Sequence, residues 1–156
     1  QLQPIGMLVV LDSILNRITQ NRAKGRNTFI FIDEIYLLFQ HEYSANFLFT
    51  LWKRVRKYGA YCTGITQNVD DLLQSHTART MLANSEFLIM LNQASTDRIE
   101  LAKLLNISDL QLSYITNVDA GHGLIKVGSS LVPFANKFPK NTKLYKLMTT
   151  KPGEGA

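Results

Sequence analysis

Residues 28–33 read Thr-Phe-Ile-Phe-Ile-Asp, a run of β-branched and aromatic residues too short for a helix and ended by an acid. Such a run predicts a strand buried on both faces, as the strands of parallel sheets are. Two more runs of this kind occur further along, AYCTGIT at 60–66 and EFLIML at 86–91. Between and around them the hydrophobic period changes. From Met7 to about Arg22, the apolar Leu8, Leu11, Ile14, Leu15 and Ile18 recur at three- and four-residue steps, which predicts an amphipathic helix released at Lys24-Gly25. A helix starts within 35–40. Another runs from about Ser44 to Tyr58, with Leu48, Leu51, Trp52 and Val55 inward and Gly59 as its stop. Asn68 or Asp70 caps a short helix, and 77–84 forms a further one. Ser95 or Thr96 caps a helix through Leu105, and Ser108 caps one through about Ile115.

The last third has a different character. Gly121, Gly123 and Gly128 frame LIKV, and LVPFANKF comes next, which predicts an antiparallel hairpin whose Pro133 belongs on an edge strand. Strands alternating with helices predict an α/β fold, a mostly parallel sheet flanked by helices with a C-terminal β-hairpin. At 156 residues, 46% hydrophobic and 19% charged, the chain is expected to form one domain over 1–148, with a flexible tail at 149–156. The net charge of +5 is compatible with nucleic acid or an acidic partner. Cys62 is the only cysteine, so no internal disulfide forms. No apolar stretch approaches the ~20 residues of a membrane helix. The chain opens at Gln1 without a signal-like segment, and is expected to be a soluble, cytoplasmic piece of something longer.

In a parallel sheet, ligands sit beyond the carboxyl ends of the strands. The residues to interrogate are therefore Asp33-Glu34, Gln67-Asn68 and Asn92-Gln93. Phe29-Ile30-Phe31-Ile32-Asp33-Glu34 has the Walker B form. A carboxylate at a strand tip can hold the water shell of Mg²⁺ on a nucleotide, and a second one, a residue on, can polarise the water that attacks the γ-phosphate. The plain alternative is a strand stopping at two solvated acids, with Asp33 capping the next helix. The second strand ends at Thr66-Gln67, and in RecA-like ATPases the strand beside Walker B often ends in a Gln whose amide senses the γ-phosphate. Otherwise Gln67 is a polar strand end that satisfies neighbouring backbone.

Lys53, Arg54, Arg56 and Lys57 place four cations in five residues. Arg56 or Arg54 reads as a trans-acting finger, the cluster as a nucleic-acid contact, or the whole as a solvated helix end opposing the C-terminal dipole. No GxxxxGK[ST] occurs in the sequence, so the backbone cradle for phosphates is expected upstream. His41, His76 and His122 share no ligand spacing, and Cys62 reads as an inert core thiol.

Four stretches, FIFIDEIYLLF (29–39), WKRVRKYGAYCTGITQNVDDLL (52–73), ANSEFLIMLNQASTDRIELAKLL (83–105) and GHGLIKVGSSLVPFANKFPKNTKLYKLMTTKP (121–152), together resemble the CagE/TrbE/VirB family, the large conjugation ATPases of type IV secretion systems. The resemblance runs from about Phe29 to Pro152 and corresponds to the C-terminal part of the family's RecA-like motor domain. It implies Mg-ATP as substrate, hexameric assembly, secretion-system partners at the cytoplasmic face of the membrane, and DNA as a further candidate partner. Carried over by motif, Asp33 is the magnesium carboxylate, Glu34 the catalytic base, Gln67 the sensor and Arg56 the trans-acting arginine. A basic DNA- or protein-binding module from a DNA-translocase or coupling-protein relative is the alternative. With Walker A absent from these residues, no nucleotide is expected to bind to this chain alone.

Overall fold

The computed structural model describes residues 2–154, with backbone only at 2–4, 95 and 96. The chain forms two compact units, one through Asn84 and one from Ser85 onward, where the sequence predicts a single domain over 1–148.

The first unit orders its elements as α1 (Leu2–Ala23), β1 (Thr28–Ile32), a 3₁₀ turn at Ile35–Phe39, α2 (Glu42–Arg54) continued by a 3₁₀ turn at Val55–Tyr58, β2 (Ala60–Gly64), α3 (Val69–Gln74) and α4 (His76–Ala83). The strands β1 and β2 pair in parallel, Thr28 opposite Ala60 and Ile32 opposite Gly64. Gly59 takes φ 63° and stops the helical path before β2, as a left-handed C-terminal residue does. One face of this pair is covered: Ile18 of α1, Leu51 and Val55 bury with Ala60, and Ile14, Ile30, Phe47 and Cys62 pack around them. A second cluster, Ile35, Leu48, Leu72, Ala78 and Met81, seats the 3₁₀ turn on α2 and α4, with Trp52 half-buried against it.

The expectation that the first strand is buried on both faces does not hold. Phe29 and Phe31 are 64% and 70% exposed, and Phe29 stacks on the equally outward Tyr61 with ring centroids 5.0 Å apart. The helices of this unit pack on the Ile30 and Cys62 side, so alternate residues of an all-apolar strand face outward.

The second unit contains β3 (Phe87–Met90), α5 (Ser95–Leu105), α6 (Asp109–Leu112) with a 3₁₀ turn at Ser113–Ile115, β4 (His122–Val127), β5 (Ser130–Ala135) and α7 (Lys143–Met148). The hairpin β4–β5 is present, and Pro133 lies on its outer strand. Its third strand is β3, which pairs antiparallel with β4, so the third apolar run joins the hairpin rather than β1 and β2. Gly123 permits the approach: a Cβ there would overlap the Met90 carbonyl oxygen and sit 2.6 Å from the Phe134 ring.

The caps predicted at Asn68 and Ser108 are in place. Asn68 Oδ1 accepts from the Asp71 N–H at 3.2 Å, and Ser108 forms a reciprocal capping box with Gln111. The helix α5 has Ala94 as its N-cap, and the side chains of Ser95 and Thr96, expected to cap it, lie outside the described residues. Within 149–154, the carboxylate of Glu154 accepts from Lys140 Nζ at 2.9 Å and from the Tyr145 hydroxyl. Among the described residues no helix is long and apolar enough to cross a membrane.

Candidate active site at the ends of the parallel strands

Because β1 and β2 run in the same direction, their carboxyl ends lie at one edge. The pairing continues past the strands: Ile65 N–H donates to Ile32 O at 2.8 Å, and Ile35 N–H donates to Ile65 O at 3.0 Å. Glu34 sits between these bonds with φ 49° and ψ 47°, a left-handed conformation that a side-chain-bearing residue adopts at a cost of about 1–2 kcal/mol. Two contacts hold it there. Asp33 Oδ1 accepts from the Glu34 N–H at 3.0 Å, and Ile35, the next residue, is buried in the core. The chain turns so sharply that a Cβ on Gly64, in β2, would lie 2.6 Å from Ile35 Cδ1.

This geometry brings together residues 33 positions apart. Gln67 Nε2 donates to Glu34 Oε1 at 2.5 Å. The loop carrying Gln67 is braced: the Asn68 N–H donates to Thr66 Oγ1 at 3.0 Å, and Asn68 Nδ2 donates to Asp71 Oδ2 at 2.6 Å. The other carboxylate oxygen, Glu34 Oε2, is buried and has no hydrogen-bond partner among the described residues. A buried acceptor left unpaired costs about 1–3 kcal/mol, more when it is charged, so this oxygen is poised for a donor such as water. Asp33 beside it is exposed.

Of the sequence candidates, Asp33, Glu34 and Gln67 therefore converge, and the basic cluster does not. The start of β1 is tied to the start of β2 by the Thr28 N–H donating to Gly59 O at 3.0 Å, and Lys53–Lys57 lie at that end. Five strand residues, about 16 Å, separate the two ends. Arg56 thus does not reach Glu34 of its own chain. The four cations also divide. Lys53 Nζ lies 3.9 Å from the Phe49 ring centroid, Arg54 lines a groove between α1 and α2, and Arg56 and Lys57 are exposed. None of the four makes an ion pair among the described residues. Asn92 and Gln93, the third strand-end pair, are spent on backbone: Asn92 Oδ1 accepts from the Val118 N–H at 3.3 Å, and Gln93 Nε2 donates to Leu91 O at 3.1 Å.

Two features escaped the sequence. The Glu34–Gln67 bond depends on register: Ile32 pairs with Gly64, which leaves Glu34 two residues and Gln67 three residues beyond their strands. The basic end is also wider than the 53–57 run, since the Arg22 guanidinium lies 5.0 Å from the Tyr58 ring centroid and Lys24 and Arg26 immediately precede β1.

The model of the TraG P-loop domain family matches residues 1–126. The chain belongs to this family. It is also similar in structure to VirB4 of Thermoanaerobacter pseudethanolicus, with a TM-score of 0.73 and 26% identity over 83% of this chain. It spans 36% of that VirB4 chain, a little over a third of its length. No curated protein matches. The α/β architecture and the assignment to a VirB4/TraG-type P-loop family therefore stand on both comparisons.

The donor set fits one side of the nucleotide site that such a family implies. An exposed carboxylate at a strand tip and an orphaned carboxylate oxygen suit the metal and water side of a phosphoryl-transfer site. The phosphate side has no counterpart in these 156 residues, which contain no GxxxxGK[ST].

Proposed function

We propose that this chain supplies the hydrolytic carboxylates of a conjugative-transfer motor, an ATPase of type IV secretion that couples hydrolysis to substrate transfer or to assembly of the pilus and channel. The observation that carries the proposal is the junction of Glu34 and Gln67, with one Glu34 oxygen held by the amide and the other buried without a partner. Mg-ATP, when bound, supplies the electrophilic phosphorus. On this reading Asp33 holds the metal through water. Glu34 Oε2 accepts a proton from the attacking water, and Gln67 fixes the carboxylate that does so. The phosphate cradle comes from sequence outside these residues. Arg56, remote from Glu34 in its own chain and without an ion pair among the described residues, serves a neighbouring subunit, which implies a ring, a hexamer by family resemblance. Other secretion components hold that ring at the inner face of the membrane.

The test is hydrolysis by the longer protein that carries the phosphate-binding motif. Glu34→Gln should keep ATP binding and lower turnover about 10²–10⁴-fold. Normal turnover would remove Glu34 from the mechanism. The 156-residue chain by itself should bind Mg-ATP no better than about 1 mM. A micromolar isotherm by calorimetry would place the phosphate site within it.

One observation favours a second reading, the DNA- or protein-binding module. No acid occurs between Asp12 and Asp33 or between Glu42 and Asp70, and apart from Arg17 in α1 the cations of both stretches lie just before β1 and β2 begin. Duplex DNA binding that weakens steeply with salt would support it.

A further inference from the structure

The groove between α1 and α2 has no part in the proposed chemistry. It is a trough of about 450 Å³ whose floor is the buried Ile18, Leu51 and Val55. On the α1 side the wall is Leu15 and Thr19. The Thr19 hydroxyl donates to Leu15 O at 3.0 Å, so its polar atom is satisfied along its own helix. On the α2 side the wall runs from Tyr43 through Thr50 to Arg54, twelve residues whose ends lie about 16 Å apart along the helix, three turns.

Charge along the trough is one-sided. No acidic residue lines it, and its one charged residue, Arg54, makes no ion pair among the described residues. Arg54 stands at the end nearest the cationic pole of the unit, where Arg22 lies over Tyr58 and Arg56 and Lys57 are exposed. A partner that fits must be apolar over three turns and negative at one end. Both an elongated apolar floor and a row of wall residues three and four apart suit a helix laid in a groove. The negative C-terminal end of a helix dipole also suits the Arg54 end.

We infer that this groove docks an amphipathic helix of another protein, its apolar stripe against Leu15, Tyr43 and Phe47 above the buried floor and its acidic C-terminal turn on Arg54. The inference is independent of the hydrolytic role proposed above.

Fluorescence anisotropy with two labelled peptides tests it. Both have about fourteen residues, near the minimum for a helix in water, and share one leucine stripe. One ends in glutamates and the other in lysines. The glutamate peptide should saturate the 156-residue chain and bind at least about tenfold more tightly than the lysine peptide at low salt. Arg54→Glu should reverse that preference. Thr19→Trp, on an exposed wall position, should abolish binding of both. Equal affinity for the two peptides, or a preference that survives Arg54→Glu, overturns the proposal. So does peptide binding that survives Thr19→Trp and is displaced by duplex DNA, since the site would then be the cationic pole alone. Saturable binding of laurate without peptide binding also overturns it, leaving a lipid-type site.

Discussion

The two sheets of this molecule are built from similar apolar runs, yet only in one of them do polar strand-end side chains meet. In the parallel pair, both carboxyl ends lie at the same edge, so Glu34 and Gln67 meet although 33 residues separate them. In the antiparallel sheet, the end of β3 lies beside the start of β4, and each end carries a different kind of residue. Asn92 is spent on the Val118 N–H, 26 residues on, and Gln93 turns back onto the Leu91 carbonyl, so both serve backbone groups. Strand direction decides whether polar tips are pooled or dispersed. A parallel pair makes a site from two residues that are each ordinary alone.

The largest expected effect sharpens that contrast. If the proposed function holds, then in a longer protein that hydrolyses ATP, Gln67→Ala should lower turnover on the order of 10²–10³-fold, the loss typical of one preorganised donor, whereas Asn92→Ala should leave turnover within about twofold. Comparable losses at both positions would erase the functional difference between the sheets. Next comes the backbone approach in the antiparallel sheet. Gly123→Ala pushes a methyl into the Met90 carbonyl and the Phe134 ring and should cost about 2–3 kcal/mol in urea denaturation. Gly64→Ala meets only the Ile35 side chain and should cost about 1–2 kcal/mol. The reverse order would show that the tight packing lies at the parallel strands instead.

Cys62, central in β2, offers a smaller and subtler probe. Burial pushes its thiol up to about 11. Alkylation at pH 8 should run at least about tenfold slower in the native chain than in urea, the scarcer thiolate being partly offset by its greater nucleophilicity. The same shift has a sign for stability. The unfolded chain ionises first, so the contribution of the protonated thiol is whole below the ordinary thiol pKa and fades as pH rises toward about 11. Native and denatured rates that coincide would mean that β2 opens freely.

Much of this fold is legible in the residues alone. The apolar runs ending in Asp33-Glu34 and Thr66-Gln67, the caps at Asn68 and Ser108 and the stop at Gly59 all rest on local chemistry, and local chemistry is written residue by residue. What could not be read depends on partners distant in the chain. An unbroken apolar run such as Phe29–Ile32 looks the same whether one or both faces are covered, so the outward Phe29 and Phe31 were invisible. The pairing of β3 with β4 is set by how close Gly123 lets two strands come, a property of the pair. The bonds from Lys140 and Tyr145 to Glu154 join residues up to 14 apart, and side-chain pairing at that separation leaves no periodic signal in the sequence.

The left-handed backbone of Glu34 has a consequence for anyone who evolves this protein. Glycine or asparagine would hold φ 49° more cheaply, so Glu34→Gly should raise the melting temperature, a gain of about 1 kcal/mol, while removing the carboxylate proposed to drive hydrolysis. A library sorted for heat resistance alone would discard this carboxylate early, and the survivors would be sturdier proteins that no longer work. An unchanged or lower melting temperature for Glu34→Gly would mean that the carboxylate's contacts outweigh the strain it carries.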